Sequence, residues 1–323
     1  MSGGLGSRAL AAVAIAWLIA GCGADPHVPQ LPGVSAVAPA PPKAALITSA
    51  PPADGDCDAQ ASLRPGPQPK PGAMPPDSAM ARIVAKGRVT VGVDQNTYLF
   101  GFRNPATGQL EGFDIDLARE IARDLFGDPD RIELRSVSTA DRVPALQRHQ
   151  VDLVVRTFST TCDRRREIDF SAVYYQAAQR ILTPLDSKVN GKADLSRKRV
   201  CVTFGATSAR PLFDMPDPPE VHGVDNWTDC LVQLQQGQVD AVSTDQPILV
   251  GLAAQDRNLH VVGEPLGQES YAVGVPKDQP ELVRFVNGVL ERIRADGTWQ
   301  RLYAQHLTQL GPSSGPPVPS YSG

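Results

Sequence analysis

The first half of the chain alternates between short apolar runs and longer amphipathic segments. Runs rich in β-branched residues predict strands over 88–93, 131–137 and 151–155. Between them, apolar residues at helical spacing predict helices over 114–125 and 142–148. This alternation predicts βαβ units, and therefore parallel-type sheets whose ligand crevice lies beyond the carboxyl ends of the strands.

A second alternating set follows and ends in two long helices. The predicted strands are 199–203, 239–243 and 272–276, and the predicted helices are 226–236, 280–296 and 298–307. The fold class that this pattern predicts is α/β. The two sets together span about 235 residues, a size that favours two lobes over one.

The first residues have the pattern of a secretory signal peptide over 1–21. Arg8 precedes an apolar run, 9–20, which is shorter than the roughly twenty residues needed to span a bilayer. The run closes on Ile19-Ala20-Gly21-Cys22, which resembles a bacterial lipobox and implies cleavage before Cys22 and acylation of its thiol. The alternative is an ordinary signal peptide with an unrelated cysteine beside it.

Two segments lack a sustained apolar period. Residues 22–77 are rich in Pro, Ala and Gly, so they bury too little surface to offset their ordering entropy. This composition predicts a semi-extended tether. The tail over 312–323 has a similar composition and is predicted to be disordered.

Charge and motifs exclude several functions. The net charge is −4 and basic residues are interleaved with acidic ones, so no nucleic-acid-binding surface is predicted. The motifs of zinc proteases, serine hydrolases and phosphate-binding loops are absent, and the five histidines are scattered. The sequence predicts neither a metal site nor a cofactor.

The stretch 151–170 has the pattern of an anion site. A buried strand ends in hydroxyl residues and is followed by three consecutive arginines, 164–166, at a helix start. Free backbone N–H groups, the hydroxyls of Ser159 and Thr161 and one guanidinium group together suit a carboxylate. The alternative is that the arginines form a solvated charge run.

An ordered series of motifs resembles the polar amino-acid family of extracytoplasmic solute-binding proteins. The motifs are EGFDIDLAREIA (111–122), DRVPALQRHQVDL (141–153), the 151–170 stretch with its IDF ending, and Tyr174-Tyr175. The resemblance covers roughly 82–310. It implies a type II periplasmic-binding-protein fold, in which two lobes on a two-crossing hinge close around a ligand.

The resemblance also divides the globular part of the chain. It assigns 78–176 and 271–311 to lobe 1 and 177–270 to lobe 2. The two hinge crossings are expected near 175–178 and 269–272.

Three ligand-binding roles follow from the resemblance. Arg164 takes the ligand's α-carboxylate, helped by Ser159 and Thr161. Asp245 stands where the family places the carboxylate that pairs with the α-ammonium, although an aspartate before Gln-Pro is also good N-cap chemistry for the next helix. Asp94, at the equivalent strand end of the first lobe, either touches the ligand or fixes the following loop.

The sequence departs from glutamine-binding relatives at the ligand's side chain. Those relatives place phenylalanines where Thr97 and Thr139 stand here, which implies a more polar site. Tyr98 or Phe100 is then expected to supply one wall. Thr203 and Thr207 of the second lobe complete the candidate contacts.

Two further arginines favour an acidic ligand. Arg142 resembles an arginine of the glutamate/aspartate-binding branch that meets a ligand carboxylate, and the alternative is a salt bridge to Asp141 or another surface acid. Arg156 directly follows the buried strand and needs a partner there, because an unpaired buried charge costs several kcal/mol. A dicarboxylic ligand would provide one.

Beyond Cys22 the chain has four cysteines, an even number suited to an oxidising compartment. Two disulfides are expected, and three pairings are possible. Cys201 on a second-lobe strand and Cys230 on the next helix form the favoured pair. Cys57 and Cys162 then remain for each other.

The sequence therefore predicts a non-enzymatic, lipid-anchored extracytoplasmic binding protein. It is expected to capture glutamate or aspartate, with asparagine and glutamine as possible ligands, and to present them to an ABC-type membrane transporter. One alternative is a sensor that reports to a membrane signalling partner. A periplasmic dehydratase-like enzyme is less favoured, because the crevice candidates include no pair of nucleophile and base.

Overall fold

The computed structural model of the chain describes residues 39–51 and 54–322. The predicted signal peptide and the acylation site Cys22 lie outside these ranges. Within them the chain forms two α/β lobes, each built on its own main sheet. No helix of the described ranges combines the length and the apolarity needed to cross a membrane.

The described chain contains strands, α-helices and short 3-10 helices. The strands are β1 (Ala45–Ile47), β2 (Ala61–Leu63), β3 (Val89–Val93), β4 (Asn96–Thr97), β5 (Gly101–Arg103), β6 (Leu110–Glu111), β7 (Ile132–Ser136), β8 (Leu153–Val154), β9 (Asp169–Phe170), β10 (Tyr175–Pro184), β11 (Arg199–Thr203), β12 (Glu220–Val224), β13 (Ala241–Asp245), β14 (Leu259–Tyr271), β15 (Gly274–Val275) and β16 (Ser320–Ser322). The α-helices are α1 (Ala79–Lys86), α2 (Phe113–Phe126), α3 (Arg142–Gln147), α4 (Cys162–Glu167), α5 (Arg210–Phe213), α6 (Trp227–Gln235), α7 (Gln246–Ala253), α8 (Pro280–Ala295) and α9 (Thr298–His306). The 3-10 helices are Lys192–Leu195, Thr207–Ala209 and Thr308–Leu310.

Lobe 1 is built on a sheet with the strand order β7-β3-β8-β15-β9. β3 pairs in parallel with β7 and β8, as the alternating pattern predicts. β15 pairs antiparallel with β8 and β9. All five residues of β3 are buried, which is the pattern of a central strand covered on both faces.

The core of lobe 1 is closed by helices from both ends of the chain. Phe113, the first residue of α2, packs edge-on against Trp299 of α9, and its ring is stacked nearly parallel to the ring of Tyr174. The indole N–H of Trp299 donates a hydrogen bond of 2.8 Å to the Tyr174 carbonyl. The last helices therefore return to lobe 1 and seal it beside the point where the chain leaves for lobe 2.

Lobe 2 is built on a sheet with the strand order β1-β12-β11-β13-β10-β14. β11 lies between β12 and β13 and is parallel to both. β10 pairs antiparallel with β13 and with β14. The disulfide Cys201–Cys230 ties β11 to α6.

Two strands lead from one lobe to the other. β10 and β14 pair antiparallel from Tyr175 opposite Tyr271 to Pro184 opposite Leu259. Ser159 of lobe 1 forms an isolated antiparallel bridge with Tyr271, next to this entry point. The crossings therefore run side by side at the positions where the sequence predicts the hinge.

The tether predicted for residues 22–77 needs correction where the structure describes it. β1 pairs with β12 at one edge of the lobe 2 sheet. β2 pairs with β16, and its Ser62 hydroxyl donates a hydrogen bond to the Phe170 carbonyl of lobe 1. Strand edges offer unpaired N–H and C=O groups, so a short segment can gain backbone partners there without a sustained apolar pattern.

The predicted disorder of 312–323 needs the same correction, since Ser320–Ser322 forms the strand that pairs with β2. The disulfide Cys57–Cys162 fixes the N-terminal segment to the start of α4 in lobe 1. Both favoured cysteine pairings are therefore present. The segment between β1 and Cys57 connects the edge of lobe 2 to the surface of lobe 1.

Candidate functional site

The crevice between the lobes narrows to a small cavity of about 10 Å³, which is room for about one water molecule. Both lobes contribute side chains to it. The cavity is lined by Thr139, Arg142, Arg156, Thr157, Ser159, Ala206, Thr207, Ser208, Trp227, Thr244, Asp245 and Ile248. A wider groove shares Ala206 and Thr207 with the cavity, and residues 46–51 and Asp54 form part of its border.

Arg142, the first residue of α3, places its guanidinium in the cavity wall. The residue is only 4% exposed. Its acceptors are all carbonyl oxygens: Thr139 at 2.9 Å, Arg156 at 3.4 Å, Thr157 at 3.2 Å and Gly205 at 3.4 Å. The predicted alternative, a salt bridge to Asp141, is not what the structure shows, since that carboxylate accepts a hydrogen bond from Ser138 instead.

Arg164 lies beside Arg142 and also bonds only to carbonyls. It donates to the Ser159 carbonyl at 2.5 Å and, across the crevice, to the Gly205 carbonyl at 2.8 Å. The Thr161 hydroxyl caps α4 by accepting from the Arg164 backbone N–H at 3.1 Å. Within the described ranges, neither Arg142 nor Arg164 forms a salt bridge.

The three consecutive arginines have three different environments. Arg165 donates to the Ala59 carbonyl of the N-terminal segment. Arg166 pairs with Asp163 on the surface of the same helix. The solvated-run alternative therefore describes Arg166, whereas Arg164 faces the crevice.

Phe158 holds both crevice arginines in place. The guanidinium carbon of Arg142 lies 4.3 Å from the centre of the Phe158 ring, and that of Arg164 lies 5.1 Å from it. The ring is fully buried. Cation–π attraction to one rigid ring thus brings two positive groups together. The sequence pattern did not single out Phe158, which stands between Thr157 and Ser159 and four residues before the start of α4.

Arg156 and Asp94 form an ion pair with each other. The Arg156 guanidinium lies 2.8 Å from the Asp94 carboxylate, and both side chains are at most 5% exposed. Asp94 also accepts from the backbone N–H of Gln95 and Asn96 and from the Thr97 hydroxyl. Of the two predicted roles for Asp94, the structure shows the one that fixes the following loop.

Asp245 presents a partly unpaired carboxylate at the end of β13. Its Oδ2 accepts a hydrogen bond of 2.5 Å from the Tyr271 hydroxyl. Its Oδ1 is buried and has no partner in the described structure. Although Asp245 stands at the N-cap position of α7, its side chain makes no capping bond, so the capping alternative is not supported.

The pKa values of the cavity's charged side chains are shifted because these side chains are buried without a paired counter-charge. Burial, with the nearby positive charges of Arg164 and Arg156, holds the pKa of Arg142 well below its ordinary value. Burial and the neighbouring Glu269 carboxylate raise the pKa of Asp245 to about 8. Burial disfavours the charged form of both side chains, and an oppositely charged ligand would stabilise that form.

Thr157 has a strained backbone at this site. Its φ is 37°, in the left-handed region that β-branched residues avoid. The Asp114 carboxylate accepts from the Thr157 backbone N–H at 2.7 Å and from the Tyr174 hydroxyl at 2.7 Å. Burial raises the pKa of Asp114 to about 7. These bonds help to hold the Thr157 carbonyl toward Arg142.

Lobe 2 supplies cavity walls that the sequence pattern did not indicate. Trp227 begins α6, and its ring is almost fully buried at the cavity. Asn226 and Asp229 form a capping box that fixes this helix start. Ile248 adds a second apolar surface, and the buried Ser208 hydroxyl has no partner in the described structure. A tryptophan directly after an N-cap asparagine is the only sequence signal for this wall.

Several predicted contacts lie elsewhere. Phe100 is fully buried in the lobe 1 core against Phe113 and Tyr271, and Tyr98 packs edge-on against Phe102, so neither lines the cavity. Thr203 borders the wider groove and donates to the Thr139 hydroxyl at 3.3 Å. Thr139, Ser159 and Thr207 do line the cavity.

The lobes are closed on each other in this structure. Gly205 of lobe 2 accepts from both crevice arginines of lobe 1. Its φ is 73°, and a Cβ at this position would lie 2.9 Å from the Ala140 Cα of lobe 1. Glycine is therefore required both by the backbone conformation and by the close approach of the lobes. In the described ranges, no three His, Cys, Asp or Glu side chains are placed to hold a metal ion.

A family model for bacterial extracellular solute-binding proteins, family 3, matches residues 89–309, and the chain belongs to this family. The ABC transporter glutamine-binding protein GlnH of Bacillus subtilis is 33% identical over 231 residues, which are 71% of this chain and 85% of that protein. The glutamate-binding protein GluB of Corynebacterium glutamicum is 32% identical in an alignment of 236 positions that covers 69% of this chain and 80% of that protein.

Solved structures show the same fold. The L-cysteine solute receptor of Neisseria gonorrhoeae has a TM-score of 0.68 and 27% identity, and the match covers 71% of this chain and 93% of that chain. The predicted two-lobe, type II binding-protein fold is confirmed. Members of the family are solute-binding proteins and not enzymes.

Proposed function

We propose that the protein captures an acidic α-amino acid, glutamate or aspartate, by closure of its two lobes. The observation that carries this proposal is the set of charges in the cavity. Arg142 and Arg164 are bonded only to carbonyls, and Asp245 across from them has a carboxylate oxygen without a partner. Two carboxylates and one ammonium on a single small ligand match these three groups.

Arg164 is assigned to the α-carboxylate and Arg142 to the side-chain carboxylate. Burial lowers the pKa of Arg164, and the nearby carboxylates of Glu269, on a crossing strand, and Asp245 oppose that shift. The third arginine, Arg156, already has Asp94 as its partner, so we do not assign it to a ligand carboxylate. A neutral amide side chain would leave one of the two free guanidinium groups without a counter-charge, so glutamine and asparagine should bind more weakly.

The names of the relatives support an amino-acid ligand and a transporter partner, since they include glutamine-binding and glutamate-binding proteins, the former of an ABC transporter. We also propose that the protein delivers its ligand to an ABC-type transporter.

A lipid anchor at Cys22 is proposed as well, because the sequence that ends at Cys22 resembles a lipobox. Mass spectrometry of the membrane-extracted protein tests it, and an unmodified Cys22 would contradict it.

A thermal-shift screen of the twenty amino acids tests the ligand class. A ligand at a hundredfold its dissociation constant adds about 2.7 kcal/mol to the free energy of unfolding. Glutamate and aspartate should give the largest shifts. If none of the twenty amino acids shifted the melting temperature, the proposal would be wrong.

A further inference from the structure

Three polar side chains share one face of the lobe 2 sheet where the two crossing strands enter it. Gln179 on β10 lies directly opposite Asp245 on β13. On the other side, Gln179 lies opposite Gly267 of β14, and Glu269 stands two residues further along that strand. Opposite residues of antiparallel strands, and residues two apart on one strand, point to the same face. Gln179, Asp245 and Glu269 therefore lie side by side.

The orientation of the Gln179 amide is fixed by Glu269. The Gln179 Nε2 donates a hydrogen bond of 2.5 Å to the Glu269 carboxylate. A carboxylate only accepts hydrogen bonds, so the amide nitrogen must be the atom that faces it. The amide oxygen is consequently turned away from Glu269 and lies beside Gly267 of β14, where Gln179 borders the wider groove that adjoins the cavity.

Two acceptor oxygens at this place have no donor. Gln179 is 2% exposed and Asp245 is 5% exposed. The Gln179 Oε1 and the Asp245 Oδ1 are both buried without a hydrogen-bond partner in the described structure. Buried acceptors normally find a partner, so a pair of orphaned oxygens on neighbouring strands indicates a ligand with several N–H donors.

Nearby protein donors do not meet this need. Arg164 points its two terminal nitrogens at the Ser159 and Gly205 carbonyls. The Tyr271 hydroxyl donates to the other oxygen of Asp245. An ammonium group carries three donors and a positive charge, so one ammonium can donate to both an amide oxygen and a carboxylate oxygen.

We infer that Gln179 is a specificity-determining residue, whose Oε1 receives the ligand's α-ammonium together with the Asp245 Oδ1. Glu269 acts through Gln179 as a positioning residue that holds the amide in the receptive orientation. This inference rests on the proposed amino-acid ligand and goes beyond it. It explains how the site separates an amino acid from a dicarboxylate of the same length, which would leave both oxygens without a donor.

The test compares glutamate with glutarate, which has both carboxylates but no amino group. Calorimetry, with displacement titration for the weaker compound, gives both dissociation constants for wild type, Gln179→Met and Gln179→Glu. Gln176→Met is the matched control, because Gln176 is an exposed glutamine on the same strand. Thermal unfolding without ligand checks that each variant folds, and Gln179→Leu replaces Gln179→Met if the latter does not.

Gln179→Met should weaken glutamate binding roughly 10- to 100-fold, the range for a lost hydrogen bond to a charged group. Glutarate binding should change less than about threefold, because glutarate makes no use of the lost oxygen. Gln179→Glu should retain the preference, since a carboxyl that shares a proton with Glu269 still presents an oxygen to the ammonium. Gln176→Met should behave as wild type.

The inference is overturned if Gln179→Met leaves glutamate binding unchanged, or if it weakens glutamate and glutarate alike. The same holds if Gln179→Glu loses the preference as completely as Gln179→Met. If wild type binds neither glutamate nor any other amino acid, the proposed function fails first and the inference fails with it. If wild type binds glutamate, the proposed function stands and the results for the Gln179 variants test the inference separately.

Discussion

The two walls of the cavity carry opposite charges, and the groups that hold the charged side chains differ between the two walls. On the lobe 1 side, Arg142 and Arg164 are stacked on one phenylalanine and bonded to carbonyls. On the lobe 2 side, Asp245 has one oxygen held by Tyr271 and the other unpaired. Within lobe 1, Arg156 is the contrasting case, because the Asp94 carboxylate pairs with its charge. The contrast identifies which charges are available to a ligand.

Removing Arg164 should have the largest effect. Arg164→Ala leaves the ligand's α-carboxylate buried and unpaired, so binding of every amino-acid ligand should weaken by about 2 to 5 kcal/mol. Arg166→Ala is the control, since that arginine lies on the same helix but pairs with Asp163 at the surface. Calorimetry that finds near-normal affinity for Arg164→Ala would remove this residue from the site.

Blocking the approach of the walls should have the next largest effect. Gly205→Ala places a Cβ within 2.9 Å of the lobe 1 backbone, so closure should cost about 1 to 3 kcal/mol for every ligand. Gly237→Ala is the matched control: its φ is also positive, at 67°, but nothing lies within 4 Å of the added atom. Equal affinity losses in the two variants would mean that backbone strain, and not lobe contact, is responsible.

Removing Arg142 should change selectivity more than general affinity. Arg142→Met takes away the group assigned to the side-chain carboxylate, so the preference for glutamate over glutamine should shrink by about 1 to 2 kcal/mol. Arg148→Met, an exposed arginine at the end of the same helix, should leave the preference intact. Titration of each variant with both ligands measures the preference. A preference that survived in Arg142→Met would place the side-chain carboxylate elsewhere.

The last expected effect is on the pH dependence of ligand binding. Because the pKa of Asp245 is raised to about 8 in the free protein, this carboxyl is largely protonated at pH 6 and must ionise to pair with an ammonium. Affinity for glutamate should therefore rise with pH from 6 toward 8, by up to about tenfold per unit, with release of up to about one proton on binding. Calorimetry in buffers of different ionisation enthalpy counts the protons. Proton uptake, or the same slope in Asp245→Asn, would contradict this account.

The fold followed from the sequence because its signals are local and repeated. The predicted strand 88–93 nearly coincides with β3, and the predicted helix 280–296 nearly coincides with α8. The N-terminal segment was mispredicted for the opposite reason. β1 and β2 are three-residue strands whose partners, β12 and β16, lie more than 150 residues away in the chain. Composition alone carries no information about such pairings.

The candidate site was predictable in its charges but not in its pairings. The sequence indicated Arg142, Arg164 and Asp245 as ligand contacts. It did not reveal that Asp94 neutralises Arg156, since that pair forms only when two strand ends meet in space. Gln179 and Glu269 were missed because a polar residue within a crossing strand resembles an ordinary solvent-facing position until the register is known.

The relative affinity of wild type for glutamate and glutamine tests the central claim most directly. The two ligands differ only in whether the side chain ends in a carboxylate or an amide, so their comparison reports on the second unpaired arginine alone. Calorimetry should show that glutamate binds more tightly, by about 1 to 3 kcal/mol. Tighter binding of glutamine would contradict the assignment of an acidic ligand.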